Sequence, residues 1–375
     1  MDWRRRLLSR LAVRPLSASD PPSAFVFIRV FHRRSIPLKF IARLLVFLLI
    51  VAAAAGYGLH WWAHRALGPD PGKTTAIEVT IAPRSSVRSI GAQVEAAGIP
   101  LQPILFEALA RIERRATRLQ AGTYAIAPSL TPEGLIDKME AGDVVRVALV
   151  IPEGWTFAQM RAAIAAHPGL RQTVQRLDDA QLMAAIGADS SQPEGQFFPD
   201  TYLFTRGATD LDVYKRAYRA MQKRLADAWA SRAPDLPLAT PYEALTLASV
   251  VEKETGRAED RPQVAAVFIN RLRRGMLLQT DPTVIYGMGA RFDGNLRKAD
   301  LTTDTPYNTY LRAGLPPTPI ALVGRAALAA VVNPPHSEAL YFVARGDGTS
   351  EFSERLGDHN RAVDRYQRTP SRTRP

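Results

Sequence analysis

Cysteine is absent from the 375 residues, which excludes a disulfide framework, a thiolate nucleophile and any cysteine-based metal centre. Histidine is scarce. Of His32, His60, His64, His167, His336 and His359, only His60 and His64 stand at helical spacing, at the edge of an apolar run, so no metal site is expected. No recognisable phosphate cradle accompanies Lys253, which argues against a pyridoxal phosphate enzyme, and no cofactor is expected. Acidic residues are outnumbered, giving a formal charge of +12, but the excess is concentrated at one end. Residues 1–43 carry ten Lys and Arg against Asp2 and Asp20, leaving only +4 for the rest. That remainder is an ordinary mixed surface, so nucleic acid is not an expected partner. The length is sufficient for one large or two moderate cores without a covalent staple.

Long hydrophobic runs are also few, and the exception is informative. Leu44 to Trp62 (LLVFLLIVAAAAGYGLHWW) is free of formal charge for 19 residues and ends in paired tryptophans. At 1.5 Å per residue it spans roughly 28 Å, enough for a bilayer's hydrocarbon core. A cleaved signal peptide would have a shorter apolar region and a small-residue cleavage site nearer the start. The expectation is a single-pass inner (plasma) membrane anchor, with the basic arm 1–43 cytoplasmic and the rest extracytoplasmic. Residues 1–37 read as a disordered arm attracted to anionic headgroups.

Beyond the anchor, residues 63–75 (containing ALGPDPGK) read as a turn-rich linker. Residues 76–145 read as a small unit. AIEVTIAP alternates as a strand, Val87, Ile90, Val94 and Ala97 fall at helical spacing before Gly98, LQPILFEALARIE is a second helix, and RLQAGTYAIAP returns as a strand. This order resembles a LysM-like module, a fold that grips N-acetylglucosamine-containing glycans; a spacer of no affinity fits the same pattern. A further helix is expected from Pro132 to Ala141, with Thr131 as N-cap. Residues 146–370 read as a mixed α+β domain, so the fold class expected overall is α+β. It opens with the strand VVRVALV and continues through helices to Gly187. An irregular EGQFFPDTY block follows, then helices at 212–231, 240–255 and 262–273, and a terminal hairpin around Arg345-Gly346-Asp347-Gly348 leads into a helix at 359–366.

The chemistry is expected in ASVVEKETGRAEDRPQVAAVFINRLRRGMLLQTDPTVIYGM, from Ala248 to Met288. Thr240 at the N-cap, Pro241 behind it, Glu243 completing a capping box and Gly256 just past the end place Glu254 in the last turn of a helix. Exposed carbonyls there disfavour a negative charge, so the pKa of Glu254 should rise. Ala244, Leu247, Ala248 and Val251 form an apolar stripe, with Glu254 on one margin and Glu252 on the other. The two carboxylates are about 160° apart and cannot both face one cleft. At most one acts, and spacing alone also fits two solvated charges offsetting Lys253, Arg257 and Arg261.

VEKET, VFINRL and LQTDPTVIYG closely resemble blocks of the YceG-like family, the endolytic murein transglycosylases. So do EGQFFPDTYLF at 194–204, YNTYLRAGLPPTPI at 307–320 and LYFVARGDGTSEF at 340–352. The resemblance covers most of the chain from Ile77 to Tyr366 and points to Glu254 as the catalytic residue. It implies cutting of peptidoglycan glycan strands with formation of a 1,6-anhydro end, near peptidoglycan synthases as partners. Gln279, Asp281, Asn308 and Glu194 are the polar groups expected to line the substrate cleft. A muramidase-type hydrolase would need Asp281, Glu194 or another acid opposite Glu254. A non-enzymatic peptidoglycan-binding or division scaffold would need none of this.

Overall fold

The computed structural model describes residues 38–68 and 75–368; the basic arm 1–37 and part of the expected linker lie outside the described residues. Helix α1, Leu38–Ala63, is the one described helix long and apolar enough to cross a membrane, with a mean hydropathy of 2.4. It begins before the expected start and takes in Lys39 and Arg43. The described residues up to His60 form one unit and those from Trp61 onward another.

The second unit takes in the last two residues of the expected anchor and the start of the expected linker. Ala63 and Leu67 are buried. The Leu67 amide donates to Leu130 O and the Gly68 amide to Pro128 O, both at 2.8 Å. A Cβ at Gly68 would stand 2.3 Å from Pro128 Cβ, so this approach requires glycine.

Strand β1 (Ile77–Ile81), helices α2 (Val87–Ala96) and α3 (Pro103–Ile112) and strand β2 (Gly122–Ile126) follow in the expected order. The strands pair antiparallel, Ile77 opposite Ile126 and Ile81 opposite Gly122. Val79, Val94, Phe106 and Tyr124 are all buried, as the two periodicities require. Helix α4 (Pro132–Glu140) is capped by Thr131, whose hydroxyl accepts from the Gly134 amide.

The remainder of this unit mixes helices and strands around two cores. In the first, β3 (Arg146–Val150) leads to α5 (Phe157–Ala166), the short β4 (Leu170–Arg171) and α6 (Asp179–Ile186). The EGQFFPDTY block is irregular up to Asp200, then becomes β5 (Thr201–Thr205), which pairs antiparallel with β3. Phe197 is fully buried and stacks on Phe157 at 5.2 Å, so these aromatics close a core. The short β6 (Ala208–Thr209) pairs parallel with β4. Helix α7 (Asp210–Ala230) starts earlier than expected, because Thr209 rather than a later residue caps it.

The second core holds α8 (Pro241–Glu254), α9 (Arg261–Arg273) and α12 (Arg325–Val332), with α10 (Asp281–Met288) and the short α11 (Lys298–Leu301) between them in the chain. Helix α8 departs from the expected single stripe: every residue from Ala244 to Val251 is buried. Its end differs as well. Thr255 turns the chain into extended backbone at φ −137°, and no left-handed glycine is used. Strands β7 (Tyr341–Ala344) and β8 (Ser350–Ser353) form the terminal hairpin. Helix α13 (Leu356–Val363) follows, earlier than the expected 359–366, and is extended by a π turn to Arg368.

Candidate active site

The last turn of α8 carries both glutamates, and they diverge. Glu252 Oε2 accepts from the Gly324 amide at 2.9 Å, at the N-cap of α12, and Oε1 faces the Arg261 guanidinium at 3.4 Å. Its side chain is 4% exposed. Burial raises its pKa, against the pull of the Gly324 amide and Arg261. These are the contacts of a structural carboxylate holding the start of α12 to the end of α8.

Glu254 faces α10. Its Oε2 accepts from Thr280 Oγ1 at 2.5 Å. Burial is the main cause of its raised pKa; the Thr280 bond and the Arg271 charge oppose it and the Asp281 charge adds to it. A carboxyl whose pKa is raised by desolvation and which sits on a rigid hydroxyl is suited to general acid work.

Thr280 is fixed from three sides. Its amide donates to Thr309 Oγ1 at 3.1 Å. The Thr283 hydroxyl donates to Thr280 O at 2.8 Å, and Thr283 and Thr309 hydroxyls stand 2.8 Å apart. All three threonines are buried. The Thr309 hydroxyl also approaches Thr280 O, at 3.5 Å, so the two hydroxyls close a small network around the Thr280 backbone.

Arg271 of α9 sets the preceding backbone. Its buried guanidinium donates to Leu340 O at 2.7 Å, Leu277 O at 3.1 Å, Leu278 O at 3.0 Å and Gln279 Oε1 at 3.2 Å. Gln279 adopts φ +50°, a left-handed conformation unusual outside glycine, and its amide reaches Thr309 O at 3.1 Å.

The other expected residues divide. Gln279 and Asp281 flank Thr280 and are exposed. Asp281 Oδ1 accepts from the Tyr310 hydroxyl at 2.6 Å. Asn308 is a correction. It is fully buried, its amide donates to Leu301 O and Thr303 O, and its oxygen accepts from the Tyr310 amide, so it staples its own loop and offers nothing to a ligand. Glu194 is also buried: Oε1 accepts from the Phe157 amide at 2.9 Å and Oε2 from the Tyr286 hydroxyl at 3.1 Å. Burial pushes it up to about 7. Tyr286 lies six residues beyond Thr280, about 9 Å along α10, so the two carboxyls attach to different stretches of that helix. Thr280 and Thr309 stand in the polar stretches QTDP and YNT that the sequence shows, with no role expected of them, and Thr283, Arg271 and Tyr310 carried no sign of one. Among the described residues no group of three or more His, Asp and Glu is arranged to hold a metal.

Comparison with known proteins gives this arrangement a family. The model of the YceG-like family matches residues 79–365. The chain belongs to the YceG-like family. A relative from Bacillus subtilis (strain 168), named endolytic murein transglycosylase, is 30% identical over 309 residues, covering 78% of this chain and 85% of that protein. One of the same name from Streptococcus pneumoniae serotype 2 (strain D39) is 29% identical over 359 residues; the match covers 86% of this chain but only 64% of the pneumococcal protein. A crystal structure of a yceG-like protein from Listeria monocytogenes is 30% identical, covers 77% of this chain and 99% of its own, and superposes with a TM-score of 0.48.

Proposed function

We propose that this YceG-like chain is an endolytic peptidoglycan lytic transglycosylase with Glu254 as its catalytic acid and base. The observation that carries the reading is the seat of Glu254: a half-buried carboxyl of raised pKa held against Thr280 in a chain whose relatives are named endolytic murein transglycosylase.

Breaking the bond between N-acetylmuramic acid and N-acetylglucosamine requires a proton on the leaving oxygen while positive charge grows at the anomeric carbon. Glu254 supplies that proton. The muramic acid 6-hydroxyl then attacks the same carbon from within the sugar, and Glu254, now ionised, takes the hydroxyl proton. The product ends in a 1,6-anhydro ring. Intramolecular attack replaces the activated water of a hydrolase, so one carboxyl serves both steps. In this reading Gln279 and Asp281 meet the strand; their exposure beside Thr280 supports it.

In this reading α1 is a single-pass anchor, with residues 1–43 on the cytoplasmic side and the body beyond it in the cell-wall compartment. The unit at 76–145 is a LysM-like glycan-holding module; its strand–helix–helix–strand order and antiparallel pairing support this. Cleavage within nascent strands beside peptidoglycan synthases ends chain elongation.

The test is mass spectrometry of muropeptides released from uncrosslinked peptidoglycan by the detergent-solubilised full chain and by its Glu254→Gln variant. Products lighter than the hydrolysed sugar by one water, made only by the unaltered protein, are expected. Reducing ends would identify a hydrolase, and no cleavage by either protein would leave a binding or scaffold role.

A further inference from the structure

Thr280 occupies the N-cap of α10, where a threonine hydroxyl ordinarily accepts from an amide of the first turn. Here it makes no such bond. Among the described residues its hydroxyl has one partner, Glu254 Oε2 at 2.5 Å. The helix start has given up a cap, and the hydroxyl is directed at the carboxyl instead.

A hydroxyl carries a single proton, and a buried one needs an acceptor. Thr280 finds that acceptor in Oε2. With the threonine proton on Oε2, the acid form of Glu254 carries its own proton on Oε1. We propose that Thr280 is a positioning residue which reserves Oε2 as acceptor and so commits Oε1 to every proton exchanged with the glycan. This deepens the transglycosylase reading and rests on it.

The steps balance on that one oxygen. Oε1 gives its proton to the glycosidic oxygen as the bond to the anomeric carbon breaks, and the bonding pair stays with the leaving oxygen. The 6-hydroxyl oxygen then bonds to the anomeric carbon, and its proton returns to Oε1. Between the steps the carboxylate bears a full charge, and the Thr280 hydroxyl, already aligned, stabilises it without rearrangement. The alignment does not depend on Thr280 alone: its amide and carbonyl are held by Thr309 and Thr283, and Arg271 fixes the backbone that leads into it.

Substitution can separate this role from a structural one. Thr280→Val keeps the amide and carbonyl bonds of the network, since both are backbone groups, and removes only the hydroxyl. Thr280→Ser restores it. The full chain and its Thr280→Val, Thr280→Ser and Glu254→Gln variants are assayed for anhydro-muropeptide release across a pH series. Glu254 is followed in parallel by carbon NMR of side-chain-labelled glutamate.

Thr280→Val should lower kcat/KM roughly 10- to 100-fold, the worth of a hydrogen bond to a charged group. Its alkaline limb should also move to higher pH, because losing a donor to the carboxylate favours the protonated form. Thr280→Ser should lie near the unaltered protein in both. An unshifted limb and NMR titration in Thr280→Val, or a Thr280→Ser as impaired as the valine variant, overturns the proposal. Absence of any Glu254-dependent anhydro product overturns the transglycosylase reading instead; the NMR titration then still tells whether Thr280 governs the Glu254 carboxyl.

Discussion

Glu252 and Glu254 leave the last turn of α8 in different directions, Glu252 onto the Gly324 amide and Glu254 onto the Thr280 hydroxyl. The two acids should therefore fail differently when changed. Glu252→Ala strips a buried amide and the buried Arg261 guanidinium of their acceptor, which should cost about 3–5 kcal/mol. Urea denaturation reads it directly. Glu254→Gln should abolish product release without that loss, because the neutral amide avoids the burden of a buried charge. A destabilised Glu254→Gln beside an unaffected Glu252→Ala would reverse the assignment.

Asn308 gives a second contrast. The backbone groups of Leu301, Thr303 and Tyr310 depend on its side-chain amide, so Asn308→Ala should lower stability by about 1–3 kcal/mol. Below the melting transition its KM for glycan strands should stay as in the unaltered protein. A raised KM with unchanged stability would restore Asn308 as a ligand contact.

Much of this geometry was legible from spacing, and the part that was not has a physical reason. The divergence of Glu252 and Glu254 follows from 3.6 residues per turn, and the Thr240 cap and Pro241 start of α8 stand where local rules put them. Glu243 did reach back, but to the Ala239 amide, one residue before the cap. The hydroxyls around Glu254 were less legible. Gln279, Asp281 and Asn308 attract attention as long polar side chains, whereas the hydroxyls that meet Glu254 and brace its partner belong to Thr280 and Thr309 between and beside them. What selects the threonines is the apposition of two loops, Gln279 N on Thr309 O and Thr280 N on Thr309 Oγ1, and no local rule spans that separation. The pairing of β3 with β5 was hidden for the same cause: an alternating strand announces its faces and not its partner.

Asp281 acts on Glu254 through charge. Its carboxylate raises the Glu254 pKa, while its Oδ1 is held by Tyr310. Asp281→Asn removes that charge, so the pKa of Glu254 should fall and the alkaline limb of kcat/KM should move to lower pH. The direction is opposite to that expected of Thr280→Val. Asp281 is exposed, so the shift should shrink as salt is added. A limb that stays in place at low salt would show that the two charges do not communicate.

Glu194 makes stability depend on pH. Burial brings its pKa to about 7, while in the unfolded chain it titrates as an ordinary glutamate near 4.5. Below the unfolded value both states are protonated, and the folded protein keeps its full stability. As pH rises toward 7 the unfolded chain releases its proton and the folded protein does not, so the balance moves toward unfolding. Above the folded value the accumulated cost is on the order of 3 kcal/mol. Glu194→Gln carries no ionisable group, and its oxygen retains an acceptor for the Phe157 amide. Urea midpoints between pH 5 and 9 should decline in the unaltered protein and decline less in the variant, which should be the more stable of the two at pH 8.5. Parallel declines would mean that Glu194 is ionised in the folded state, with the Tyr286 hydroxyl and the Phe157 amide compensating its burial in full.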